Sequence, residues 1–347
     1  MTVEADMQRT LEILEKLVSI PSPSGMTGGA VAFLEEFARG AGIPAALTNK
    51  GGLLAGCLGE PELVVSGHVD TLGAIVSGLR SDGTLSFSQI GGLVLPSFEA
   101  EYVTVHSEGG RTFRGTLLLD NPAVHVNRDA GKTERSQTNM HVRLDVEASS
   151  KKDLEGLGVG VGDFVSFDPR FERTSTGFVK SRFLDDKAGC AAMAGAMLAL
   201  GPDGIEKART CFFFTNFEEV GHGASAGIPG SARRMLVVDM GVVGEKVEGA
   251  ETAVSICVKD SRGPYDLALR RRLAGLARER GIPHRLDVFP FYGSDGASAQ
   301  AAGYDIRTAL VGPGVSASHG MERTHAKGIE AARDLVSAFV ESGPGAD

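Results

Sequence analysis

Short apolar runs of strand length alternate with helical patterns at both ends of this chain, and the alternation stops between about residues 72 and 172. Alternation of this kind implies a mostly parallel sheet with helices on both faces, because parallel strands need long crossovers and the crossovers cover the sheet. Leu11, Leu14, Leu17 and Val18 stand at helical spacing over residues 4–20, and Pro21-Ser22-Pro23-Ser24-Gly25 ends that helix. A helical pattern at 31–38 and two short buried strands at 53–58 and 63–66 follow. After residue 180 the pattern resumes with a helix at 187–200 and strands at 211–217, 235–238 and 254–258. A helix at 267–280, a strand at 286–289, a short helix at 297–302, a strand at 308–311 and a helix at 328–340 complete it.

The intervening stretch has a different texture. Strand-like segments at 102–106, 113–119, 141–146 and 164–167 are separated by Gly, Asn and Asp turns, with no long helical pattern among them. A small β domain spanning 72–172 is therefore expected inside an α/β domain made of 1–71 and 173–347, and a length of 347 residues suits two cores better than one.

The chemistry-bearing residues collect where apolar runs stop. His68-Val69-Asp70 follows one strand, Glu218-Glu219 follows the apolar run that contains Phe212-Phe213-Phe214, and Asp239 follows Leu236-Val237-Val238. Asp185-Asp186 precedes a helix, and His319 lies eight residues after Val311 in a Gly- and Ser-rich loop. Carboxyl ends of parallel strands converge on one crevice, so these groups are candidates for a common site. Adjacent acids at buried strand ends cost roughly several kcal/mol unless a cation neutralises them, and few Lys or Arg are nearby, which points to a divalent metal. Each member has a plainer explanation: a satisfied structural histidine for His68, a helix start for Asp185-Asp186, a turn for Asp239. Glu218-Glu219 resists one, since glutamate is a poor helix cap. Taken together, His and carboxylate ligands with one carboxylate to spare are what two adjacent zinc-like ions and a general base require.

Composition removes other classes. A net charge of -9 and no basic cluster longer than Arg270-Arg271-Arg272 argue against nucleic-acid or anionic-membrane partners. No run of 18 apolar residues occurs, and the first 19 residues carry Glu4, Asp6, Arg9, Glu12, Glu15 and Lys16, unlike a signal peptide, so a cytoplasmic location is expected. Cys57, Cys190, Cys211 and Cys257 lie in or beside apolar runs without metal-site spacing and read as reduced core thiols.

The order His68-Val69-Asp70, Asp185-Asp186, Glu218-Glu219, Asp239 and His319 resembles the M42 family of dinuclear metallo-aminopeptidases. Residues 21–25, 67–73, 182–190, 217–223 and 292–297 are similar to that family's segments, and an inserted β domain between the His and Asp-Asp motifs is its layout. The resemblance implies a metal-dependent aminopeptidase that removes N-terminal residues from peptides. It implies two divalent ions, zinc, cobalt or manganese, with Asp185 bridging them, His68 and Asp239 completing one site and Glu219 and His319 the other. Glu218 is then the general base, Asp70 the acid that orients His68, and Asp186 a support for the bridging residue. A homo-oligomer, in the family often a large hollow assembly built through the inserted domain, is implied too. His325 and His222 stay open as alternatives to His319.

Rival readings have specific motifs behind them. Gly223-Ala224-Ser225-Ala226-Gly227 matches the nucleophile-elbow pattern of serine hydrolases, with Ser225 as nucleophile, although the preceding strand ends too early for an elbow. An amidohydrolase or deacylase could use the same dinuclear centre. The run Gly156-Leu157-Gly158-Val159-Gly160-Val161-Gly162 invites a nucleotide-binding reading, but Asp163 leads into a strand, so a turn between strands accounts for it better.

Overall fold

The computed structural model describes residues 3–343, which divide at residues 70/71 and 169/170 into two compact units. The first holds α1 (Val3–Ser19), α2 (Gly28–Gly40), β1 (Ala45–Leu47), β2 (Leu53–Gly56) and β3 (Leu63–His68) before the chain leaves it. The second, residues 71–169, holds β4 (Gly73–Leu79), β5 (Leu85–Ile90), β6 (Tyr102–His106), β7 (Thr112–Leu119), β8 (Met140–Leu144), α3 (Lys151–Gly156) and β9 (Phe164–Phe167). On its return the chain adds β10 (Glu172–Arg173), β11 (Phe178–Ser181), α4 (Leu184–Lys207), β12 (Thr210–Thr215), β13 (Arg234–Val238), β14 (Gly241–Val243) and β15 (Val254–Lys259). It closes with α5 (Leu267–Glu279), β16 (His284–Val288), α6 (Asp295–Ala301), β17 (Arg307–Ser316), β18 (Glu322–His325) and α7 (Ala326–Glu341).

In the larger unit, four parallel strands in the order β12-β3-β13-β17 form the centre of a twelve-stranded sheet, and antiparallel strands flank them. The period-2 pattern splits the central strands between two cores. Val65, Phe212, Phe214, Leu236, Val238 and Val311 face one core with α1, α2, α4, α5 and α7, whereas Val64, Phe213, Met235, Val237 and Leu310 face the other with Ala299 of α6. Helices therefore lie on both faces. The central helix α4 is made largely of Ala and Gly, which lets it approach its neighbours closely: a Cβ at Gly195 would sit 2.5 Å from Thr10 Oγ1 of α1 and 3.0 Å from Arg333 Cδ of α7. Its length and apolar composition suffice to cross a membrane, but most of its apolar side chains are buried in this core.

The smaller unit is a closed six-stranded barrel in the order β4-β5-β8-β7-β6-β9. Alternate residues such as Val103, Val105, Leu117, Val142 and Val165 fill its interior. Closure removes the exposed edges that a small sheet would otherwise present. The Gly-rich run at 156–162 begins at the end of α3 and turns into β9, a connection inside this unit.

Candidate metal centre

Every group singled out at a strand end arrives at one edge of the larger unit. His68 is the last residue of β3, Asp239 follows β13 directly, and Glu218 and Glu219 come shortly after β12. Asp185 stands at the mouth of α4, where its own dihedrals are not yet helical, and His319 lies in the connection from β17 to β18. Three residues that set these positions adopt the left-handed region without being glycine: Phe183 at φ 67°, Phe217 at φ 66° and His319 at φ 63°. Such residues cost about 1–3 kcal/mol each and persist where surrounding structure imposes them, often at functional sites.

Asp185 is the hub. Its Oδ1 lies 3.2 Å from His68 Nε2 and its Oδ2 lies 3.6 Å from His319 Nε2, so its two oxygens face different histidines. Glu219 Oε2 stands 3.6 Å from the same His319 nitrogen, and Glu218 Oε2 is 3.9 Å from His68 Nε2. Two sets of donor atoms fall within 4.8 Å of one another: His68 with Asp185 and Glu219, and His68 with Asp186 and Asp239.

Asp70 stands between His68 and the glutamate loop. The Nδ1 of His68 is 3.0 Å from the Asp70 backbone carbonyl and 3.5 Å from its carboxylate. That carboxylate accepts the backbone N–H groups of Glu218 and Glu219, at 3.1 and 3.3 Å, and the Ser24 hydroxyl at 2.5 Å. It thereby clamps the loop that carries the glutamate pair. Asp186 is fully buried, close against Gly189, where a Cβ would collide with its carboxyl group. Neither of its carboxyl oxygens, nor Oδ1 of Asp239, has a hydrogen-bond partner among the described residues.

The electrostatics are those of an anionic cluster short of cations. Burial, with the charge of Asp239 next, pushes the Asp186 carboxyl well above the usual range. Burial, followed by Asp239, Asp295 and Glu219, does the same to Glu218, while burial and Asp185 raise Glu219. Asp239 is pushed up to about 7 by burial and the charge of Asp185. Burial opposes the charge of His68, but hydrogen bonds to Asp185 and Asp70 outweigh it and hold the imidazolium well above its ordinary pKa. Carboxylates that take up protons in this way are answering a charge deficit that a divalent ion would remove. Imidazole and carboxylate donors with unpartnered buried oxygens fit such ions.

Several contributors escaped the sequence reading. Glu322, buried at the start of β18, accepts the backbone N–H of Asp185 at 3.1 Å and that of His319 at 3.1 Å on its two oxygens. Asp295 accepts the Thr215 hydroxyl and the Ala224 N–H, and Lys187 donates to Ser22 at 2.6 Å beneath the cluster. A lone glutamate in a four-residue strand carries no pattern that would single it out.

Alternative residues fall elsewhere. The ring of His325 caps α7 by accepting the Lys327 N–H, contacts the Thr176 carbonyl and packs edge-on against Phe178. His222 stacks on Phe217 and is exposed. Ser225 lies in a single 3-10 turn, donates to the His222 carbonyl at 2.8 Å and has no strand-to-helix elbow, so the serine-hydrolase reading is set aside.

The fold agrees with solved structures of low sequence identity. It matches an aminopeptidase, APDkam598, from the archaeon Desulfurococcus kamchatkensis with a TM-score of 0.85 at 23% identity, over 97% of this chain and 96% of that one. It matches the TET1 peptidase of Pyrococcus horikoshii with a TM-score of 0.84 at 24% identity, over 95% and 99%. In sequence, 42% identity over 340 residues relates it to "Putative aminopeptidase YhfE" of Bacillus subtilis (strain 168), covering 97% of this chain and 98% of the relative. Residues 51–335 match the family model described as M42 glutamyl aminopeptidase, and on that span and that relative the chain belongs to the M42 aminopeptidase family.

Proposed function

We propose that this peptidase removes N-terminal residues at the pocket around Asp185, with two divalent cations held by His68, Asp185, Asp239, Glu219 and His319. The observation that carries the proposal is the hub geometry, in which the two Asp185 oxygens face His68 and His319 respectively. The unpartnered oxygens of Asp186 and Asp239 support it, and Asp186 is added as a group close enough to join the His68 side. Bound there, two cations would polarise the scissile carbonyl and acidify a water. Glu218 accepts the proton of the attacking water and passes it to the leaving amine as the C–N bond breaks, a role that suits a carboxyl whose proton affinity burial has raised. Asp70 and Glu322 keep the catalytic loops in register by holding their backbone N–H groups. His68 and carboxylates accept zinc, cobalt or manganese, and the four free, buried thiols agree with a reducing, cytoplasmic setting.

The test is a pair of variants with metal analysis and an aminoacyl panel run beside N-acyl substrates. Glu218→Gln is expected to retain metal and lose about 10²–10⁴-fold in turnover, whereas Asp185→Ala loses metal as well. Full turnover in Glu218→Gln removes the mechanism, and cleavage confined to N-acyl substrates moves the site to deacylation.

The barrel unit at residues 71–169 is proposed to serve assembly into a homo-oligomer. The TET1 peptidase of similar fold is described as assembling into a tetrahedron or a large octahedral shell. Size-exclusion chromatography at the mass of a monomer would count against this.

A further inference from the structure

The pocket that contains Asp185, Glu218, Glu219, Asp239 and His319 has a volume of about 510 Å³, and the rest of its lining is Met240, Val242, Phe291 and Tyr292, with Gly221, Gly293 and the polar Ser318 between them. No lysine or arginine lines it among the described residues. The wall is built to stay in place. Met240 is buried directly after Asp239, and its carbonyl accepts the Tyr292 hydroxyl at 3.0 Å. Tyr292 packs against Phe289 with ring centroids 5.3 Å apart, and its own carbonyl accepts the Ser261 hydroxyl at 2.6 Å. Val242 lies on β14, paired in parallel with Val315 of β17. Phe291, beside this anchored tyrosine, is 98% exposed, so a large aromatic ring stands at the rim with almost no protein cover of its own. Lone exposed apolar residues are ordinary, but one that continues an apolar wall into a pocket with convergent polar groups is the arrangement of a ligand subsite.

From this wall we infer that the side chain of the N-terminal residue is selected here as neutral and apolar, leucyl, methionyl or phenylalanyl, and that acidic side chains are disfavoured. The inference rests on the aminopeptidase reading of the pocket and departs from the glutamyl specificity in the family's description. With the cations already held by Asp185, Glu219 and Asp239, a glutamyl carboxylate would leave its solvation behind against Met240, Val242 and Tyr292 with no guanidinium or ammonium group in the lining to meet it. A lysyl side chain fares little better, because the four carboxylates are already committed to the cations and to proton transfer. An apolar side chain gains by covering the half-buried Val242 and the exposed Phe291.

The decisive measurement is kcat/KM of the metal-loaded protein on leucyl, methionyl, phenylalanyl, glutamyl, aspartyl and lysyl p-nitroanilides, with calorimetric titration of free leucine and free glutamate as a readout independent of turnover. Leucyl and phenylalanyl substrates are expected to exceed glutamyl by at least about tenfold, and leucine to bind where glutamate does not. Phe291→Ala is expected to raise KM for phenylalanyl and leucyl substrates several-fold, and Val242→Arg to narrow the gap to glutamyl. Preference for glutamyl or lysyl, or an unchanged leucyl-to-glutamyl ratio in both variants, would overturn the inference and leave the aminopeptidase reading standing. Cleavage of none of the six would overturn that reading and the inference with it.

Discussion

Glu322 ties the backbone of Asp185 to that of His319, and with it two loops that converge from opposite ends of the sequence. Removing its carboxyl leaves two N–H groups without their acceptor, each costing about 1–3 kcal/mol where water cannot reach it. Glu322→Ala is therefore expected to lower both thermal stability and metal affinity, while Glu322→Gln, which keeps one acceptor oxygen, retains more of each; a metal titration followed by calorimetry separates the two variants. Asp70→Asn tests the other clamp: one oxygen becomes an NH2 group that cannot accept, so the N–H of Glu218 or of Glu219 loses its acceptor and a fall in kcat larger than the change in KM is expected. At this scale the sequence displayed the ligand types and concealed their support. His68, Asp185, Glu218, Glu219, Asp239 and His319 stand out because charged residues at the ends of apolar runs are costly. Glu322 and Asp295 do not, since their partners are backbone amides and a threonine far away in sequence. The left-handed conformations of Phe183, Phe217 and His319 left no trace either, because glycine, the usual sign of such a position, is absent from all three.

Helix α4 shows why elements were easier to read than residues. Its Ala and Gly content signals close packing on all sides, and the structure supplies α1, α7 and the sheet as the neighbours. Gly195 is the tightest point against α1 and α7, so Gly195→Val is expected to destabilise by about 1–3 kcal/mol through overpacking, measured by urea unfolding, with metal content unchanged in the folded fraction. The barrel carries a pH-dependent element of its own. His106 is half-buried, its Nε2 is 2.8 Å from Ser166 Oγ, and burial lowers its pKa. A histidine depressed in the folded state binds its proton more readily when unfolded, so its contribution to stability is present above the unfolded pKa of about 6.5 and is lost as pH falls through the folded value. His106→Gln should flatten the loss of melting temperature between pH 7.5 and 5; an unchanged slope would show that other groups set it. Strand β18 (Glu322-Arg323-Thr324-His325) and the short α3 (Lys151-Lys152-Asp153-Leu154-Glu155-Gly156) were invisible in the sequence because neither carries an apolar run or a repeating apolar position.

For the molecule as a whole, the metal question becomes one of stability. The larger unit gathers Asp185, Asp186, Glu218, Glu219, Asp239 and Glu322 in one largely buried region whose basic groups include His68, His319 and Lys187. Proton uptake by the carboxyls relieves part of their repulsion, since burial and Asp185 push Glu322 up to about 8. Cations would relieve it more completely and would bind only the folded arrangement, because the proposed ligands come from β3, α4 and the loops after β12, β13 and β17, which unfolding separates. Ligand linkage then gives about 2.7 kcal/mol of stabilisation per site at a free metal concentration one hundred times its dissociation constant. A chelator is expected to lower the melting temperature, and re-addition of zinc, cobalt or manganese to restore it in proportion to the logarithm of free metal. Asp185→Ala should melt at one temperature with or without chelator, having lost the residue whose two oxygens face both histidines. Chelator-independent melting of the unaltered protein would mean that the carboxylates are stabilised by protons alone, and the dinuclear assignment would fall with it.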